Sequence, residues 1–176
     1  MSTTKWALDA AHSELGFKIK HLMISSVSGR FNSFDVTADT GADDFNNSNI
    51  NATIDVASIF TNNEQRDGHL RTGDFFEIEK YPNISFKSTS VKKDGDDLEI
   101  TGDLTMKDVT KPVSLKVEFS GITKDPYGNV KAGFSFAGKL NRKDWGINFN
   151  AALETGGVML GEEVKYEGEI QLVKQG

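Results

Sequence analysis

The sequence predicts an all-β protein: eight antiparallel strands forming an up-and-down barrel or a sandwich, with one short helical insert between the third and fourth strands. Three observations lead there. Apolar and polar residues alternate with period two along most of the chain, the signature of half-buried strands. The stretches between are short clusters of Gly, Asp, Asn and Pro, of the length that joins antiparallel neighbours. The chain has 176 residues, enough for one sizeable core and too few for two, so residues 1–176 are read as a single domain.

From Ser13 onward, Leu15, Phe17, Ile19 and His21 share one face, and Glu14, Gly16, Lys18 and Lys20 share the other. In the second strand, over residues 27–39, Phe31 lies in one frame and Phe34, Val36 and Ala38 in the other, which predicts a bulge near Asn32 and Ser33. The third strand carries Ile50, Ala52, Ile54 and Val56 on its dry face, and the fourth Ile84, Phe86 and Ser88. The fifth shows Leu98, Ile100, Gly102, Leu104 and Met106, and the sixth Val113, Leu115, Val117 and Phe119. Ala132, Phe134, Phe136, Gly138 and Leu140 mark the seventh, and Val164, Tyr166, Gly168, Ile170 and Leu172 the eighth. KDGDD (93–97) and KDPYGN (124–129) read as hairpin turns. Two segments lack the period: residues 62–80, with Leu70, Phe75 and Phe76 irregularly spaced, and residues 142–162, a Gly-rich connection around Trp145. Both are long enough to cap a barrel mouth.

Composition narrows the function. Twenty-six acidic against twenty basic residues give a net charge of −6, with the basic residues dispersed, so a nucleic-acid backbone would be repelled. The absence of cysteine excludes disulfides, thiol catalysis and thiolate zinc sites. No stretch approaches the roughly 18–20 apolar residues of a membrane-spanning helix. The start, MSTTKWALDAAHSELGF, has no apolar leader, which points to the cytoplasm, or to the periplasm if a leader has been removed.

An eight-stranded barrel can fill its lumen with side chains or hold one small ligand there. Gly102, Gly138 and Gly168 fall on three different dry faces, with Ala52, Ala132, Ser13 and Ser88 beside them. A single such glycine reads as a bend or barrel corner, but three on three faces point to unclaimed volume, whose lining would be hydrocarbon with few charges.

The stretches DAAHSELGFKIKH (9–21), SGRF (28–31), SIFTNNEQRDGHL (58–70), FFEIEKYPNISFKS (75–88), GDLTMKDVTKPV (102–113) and NRKDWGI (141–147) resemble, in order and spacing, the motifs of the YceI-like polyisoprenoid-binding family. One departure is Asp108, where members more often carry glycine in a turn. The resemblance implies a lipocalin-like barrel whose apolar interior holds a long-chain amphiphile, typically a polyisoprenoid, without turnover and without a cofactor. The expected partner is that lipid, with room left for a homodimer. Residues expected to face it are Leu15, Phe17, Ile19, His21, Ile54, Val56, Leu104, Met106, Phe134, Phe136 and Leu140 on the strands. Leu70, Phe75 and Phe76 are expected in the insert, and Trp145 in the second connection.

The cluster RDGH (66–69) offers a competing reading, a hydrolase or isomerase of a small apolar substrate using Asp67 and His69, with Ser13, Ser58 or Thr61 as nucleophile. Against it, no G-x-S-x-G elbow is present. The structural role expected instead has Asp67 turning or capping the backbone, Arg66 pairing with a carboxylate and His69 hydrogen-bonded under an apolar lid. His12, His21 and His69 are not expected to share a metal: the first two lie nine residues apart on what reads as one strand, roughly 30 Å at the strand rise. Arg142 and Asp144, next to Trp145, read as a surface ion pair.

Overall fold

A sheet with one dry face on every strand must close on something, and here it closes on itself. The computed structural model describes residues 3–22, 24–42, 44–150 and 160–175. Among them the strands are β1 (Thr3–Leu8), β2 (Glu14–His21), β3 (Ser25–Phe31), β4 (Phe34–Gly41), β5 (Asp44–Asp55) and β6 (Ile59–Phe60). They continue with β7 (Asn83–Asp94), β8 (Asp97–Met106), β9 (Val109–Lys124), β10 (Val130–Asn141) and β11 (Leu160–Gln175). The order β1-β4-β5-β7-β8-β9-β10-β11 returns to β1, making a closed antiparallel barrel of eight strands. The far half of β11 instead pairs with β2, which carries β3 and β6.

Each long expected strand is present, one of them divided, and β1 precedes the first of them as a strand the alternation did not reveal. A 3-10 turn at Ala10–His12 separates β1 from β2, so β11 meets β1 through Leu8–Leu172 and β2 through Tyr166–Phe17. The frame change at Asn32 and Ser33 is a break between β3 and β4, not a bulge inside one strand. The single α-helix among the described residues, α1 (Glu64–Leu70), follows β6 and precedes β7. The expected position between third and fourth strands therefore does not hold in the observed numbering, because β1, β6 and the β3/β4 break precede the helix. β5 also begins earlier than the third strand read from the sequence. The polar run from Asn46 to Asn49 conceals it, and Asn47 takes a left-handed backbone (φ 62°).

The end of the barrel remote from α1 is solid. Phe45 stands 5.1 Å from Trp6, 5.6 Å from Phe119 and 5.0 Å from Phe134, centroid to centroid. Trp6 is 1% exposed and gives its indole N–H to Thr40 Oγ1 at 3.0 Å, so its polar atom is satisfied inside the plug. Val91, Leu98, Ala132 and Leu172 complete this core.

Lys131 ties the strand ends around the plug. Its ammonium lies 2.7 Å from Asp9, just past β1, and 3.7 Å from Asp125 in the β9–β10 turn. His12 also reaches the same Asp9 oxygen, at 2.8 Å. The hydrogen bond from Lys131 holds the Asp9 carboxyl below its ordinary value of 3.8, and the bond to Asp9 raises the Lys131 ammonium above 10.5. A lowered carboxyl stabilises the fold above its unfolded-state pKa, and that contribution disappears as pH falls through the folded value. Replacing Lys131 with Met should therefore lower the melting temperature at neutral pH, with a deficit that narrows as pH drops below 3.8. Thermal melts across the acid range check this; a deficit independent of pH would assign the residue a packing role through its alkyl stem.

Candidate functional site

Below the plug the lumen opens into a cavity of about 720 Å³, within the range of roughly 300–1,000 Å³ typical of small-molecule sites. Its wall includes Leu15, Phe17, Ile19 and His21 of β2, Ile54 of β5, Leu104 and Met106 of β8, and Phe134, Phe136 and Leu140 of β10. The segment after β6 adds Leu70, Phe75 and Phe76. Period-two alternation also carried the signal for Phe86, Ile100, Val164 and Tyr166, which line the cavity from the dry faces of β7, β8 and β11. Ile147 and Phe149 line it as well, from a connection with no periodicity to reveal them. The rest of the expected second cap, residues 151–159, lies outside the described residues.

Two expected wall residues are elsewhere. Val56 is 1% exposed and packs in the cluster with Phe31, Ile59, Ile84 and Met106, outside the lining, because β5 ends at Asp55 and the 3-10 turn Val56–Ser58 breaks the alternation. Trp145 closes a 3-10 turn at Arg142–Trp145 and belongs to that same core, where its indole N–H donates to Leu104 O at 2.9 Å. It props the wall from behind.

The glycines do not supply the void in the expected way. A Cβ on Gly102 would lie 2.5 Å from Phe86 Cζ, on Gly138 2.6 Å from Tyr166 Cζ, and on Gly168 2.6 Å from Phe136 Cζ. Gly29 stands in the same relation to Phe17, 2.9 Å from its Cε1. The space beside each glycine is thus filled by the tip of a neighbouring strand's ring. A larger residue at Gly138 would meet Tyr166 before it met the cavity.

The RDGH cluster is a fastening. Asn63 caps α1, accepting from the Arg66 N–H at 3.0 Å. Asp67, 5% exposed, accepts from both the N–H (2.9 Å) and the hydroxyl of Thr61. Arg66 donates to Thr61 Oγ1 at 2.8 Å and to Thr61 O at 2.6 Å, so it holds a hydroxyl and a carbonyl where a carboxylate partner was expected. His69 pairs with Asp74 at 2.8 Å and stands edge-on to Phe75 and Phe149. Asp67 and His69 therefore serve separate partners: Asp67 takes the hydroxyl of Thr61, one of the candidate nucleophiles, inside the buried fastening, while His69 pairs with Asp74. Behind this fastening Leu70, Phe76 and Ile78 pack on Phe31, Ile59, Ile84 and Met106.

His12 lies in the exposed 3-10 turn beside Asp9, while His21 ends β2 at the cavity. Among the described residues no group of three His, Asp or Glu side chains gathers as a metal site. Arg142 is the residue most misjudged from sequence. It forms no ion pair with Asp144; it is 3% exposed, lines the cavity, and donates from Nε to Gly161 O (2.8 Å) and from Nη1 to Ile147 O (2.7 Å). Burial pushes its pKa down, opposed by the more distant Glu162 charge. Flanking lysine and aspartate made it read as surface.

The model of the YceI-like domain matches residues 6–172. The chain belongs to the YceI-like family. A UPF0312 protein of Staphylococcus aureus is 45% identical over 169 residues, covering 96% of both chains. The crystal structure of a Campylobacter jejuni YceI protein superposes with a TM-score of 0.77 at 34% identity, covering 96% of this chain and 97% of the other. A polyisoprenoid binding domain from Saccharophagus degradans, 16% identical and covering 97% and 98%, gives 0.68 and shares the fold. Among the described residues no helix is long and apolar enough to cross a membrane.

For this YceI-like chain, removing Asp67 leaves two buried donors of Thr61 unpaired. Asp67→Ala should cost about 1–3 kcal/mol, and Thr61→Val made together with it should add much less than its own single effect. Denaturant unfolding of the double-mutant cycle measures this, and strict additivity would break the proposed fastening.

Proposed function

We propose that this protein binds a long-chain amphiphile, a polyisoprenoid or a lipid of similar build, in the barrel interior and stores or carries it without chemical change. The observation that carries the reading is the cavity: about 720 Å³ inside a closed sheet, walled almost wholly by Leu, Ile, Val, Met and Phe side chains. Over most of its length such a wall offers nothing to the hydroxyls of a sugar and suits hydrocarbon, while Asn63, Gln65, Arg66, His69 and Arg142 bring polar side chains to it. Transfer of one five-carbon isoprene unit from water would contribute roughly 3–4 kcal/mol at about 0.8 kcal/mol per carbon. A lipid arriving from a membrane already has a dry tail, so selection rests on the fit of the chain and on the head group. The likeness to a polyisoprenoid binding domain supports the reading, as does the separate engagement of Asp67 and His69.

Solvent extraction of the purified protein followed by mass spectrometry should yield a long-chain lipid. The stripped protein should take up a polyprenol and return it unaltered. Absence of both extractable lipid and uptake would overturn the binding function; conversion of a lipid ester, lost in His69→Ala, would overturn its non-enzymatic character.

A further inference from the structure

A guanidinium withdrawn from water is costly unless its charge is matched and its N–H groups are used. At 3% exposure Arg142 meets each condition only in part. Its two hydrogen-bonded partners, Gly161 O and Ile147 O, are neutral carbonyls. It forms no ion pair among the described residues, and the nearby Glu162 is engaged by Lys143 at 2.8 Å. Arg142 Nη2 is buried with no hydrogen-bond partner. Two of the donor nitrogens are thus spent on fixing the group to the chain, and the third, with a charge offset only by the more distant Glu162, is left over in a side chain that lines the cavity.

Its place gives the group a direction. Arg142 follows β10, whose dry face runs back through Leu140 and Phe136 to Phe134 at the plug, a path of roughly 26 Å at the strand rise. Its acceptor Gly161 lies beside Leu160, which pairs with His21 at the α1 end. The charge therefore sits at one end of an apolar channel and the plug at the other.

We infer that Arg142 is the head-group receptor of the cavity and that the ligand is an anionic amphiphile, whose phosphate or carboxylate oxygen takes the free Nη2 while its tail runs along β10 toward the plug. This rests on the lipid-binding reading above and adds to it the chemistry of the head. Nη2 itself has almost no accessible surface, so the oxygen reaches it through a small turn of the guanidinium about its two carbonyl anchors.

The test uses the full chain, stripped of lipid, with farnesyl phosphate and farnesol as probes of equal tail. The phosphate should bind more tightly by about tenfold or more, the scale of one charge-assisted hydrogen bond. In Arg142→Met the ratio should collapse toward one, and in Arg142→Lys it should be partly restored. Should Arg142→Met fail to fold, the guanidinium NMR signals of the unaltered protein decide: those of Arg142 should move with farnesyl phosphate and stay with farnesol. Equal affinity for the two probes, a preference that survives Arg142→Met, or unmoved signals would overturn the assignment while leaving lipid binding intact. If neither probe binds the unaltered protein, lipid binding itself falls, and the head-group assignment with it.

Discussion

Everything in this barrel depends on bulky inward rings lying over glycines. Eight strands give an interior that ordinary side chains can fill, so a lumen stays open only if the large residues are kept off the axis. Phe17, Phe86, Phe136 and Tyr166 are kept off it by glycines that leave the adjacent wall bare. Phe17 faces Tyr166 across β2 and β11, Gly29 flanks the first and Gly138 the second, so one row around the wall reads Gly, Phe, Tyr, Gly. The glycines give up side-chain packing of their own, and the rings return it by covering exposed backbone. A wall this smooth can hold a chain without a matching set of polar contacts.

The two ends of the barrel follow different physics. At the plug, four aromatic rings and the Lys131 bridge make a core continuous with the sheet. At the α1 end β3 keeps only the two-residue pairing with β6 beyond its partner β2, and closure passes to side-chain hydrogen bonds among Thr61, Arg66 and Asp67. Side-chain ties of this kind open at lower free energy than a strand ladder, so under the proposed lipid-binding function a ligand would enter at this end.

Much of the barrel was legible because a strand with one dry face writes its period into the sequence. Leu15, Phe17 and Ile19 had to point together whatever else the chain did. The illegible parts are those where that rule lapses. Phe45 was hidden by the asparagines after it, and Trp6 sits on a short strand separated from β2 by a 3-10 turn. Val56 and Trp145 were placed on the wall by extending a period past a strand end or by size alone, and backbone turns carried both behind it. Gly138 and Gly168 were read on the correct face, but what occupies a glycine's space is decided by the rotamer of the residue across the ladder, which no single-strand pattern contains. Arg142 was obscured by its neighbours: a cation among Asn, Lys and Asp reads as surface, and only the three-dimensional turn shows it facing inward.

The most direct test of the ring-over-glycine account is farnesol affinity and thermal stability measured together on Gly138→Ala. The new Cβ meets only the far end of Tyr166, atoms that can swing, so the ring should leave the wall and enter the lumen while the sheet persists. The account predicts a folded protein whose stability falls by no more than the roughly 1–3 kcal/mol of an overpacked site, a melting temperature lower by at most about ten degrees, together with farnesol affinity reduced by about tenfold or more. Unchanged affinity in a protein that remains folded would contradict it, because the open lumen would then not depend on where the ring lies.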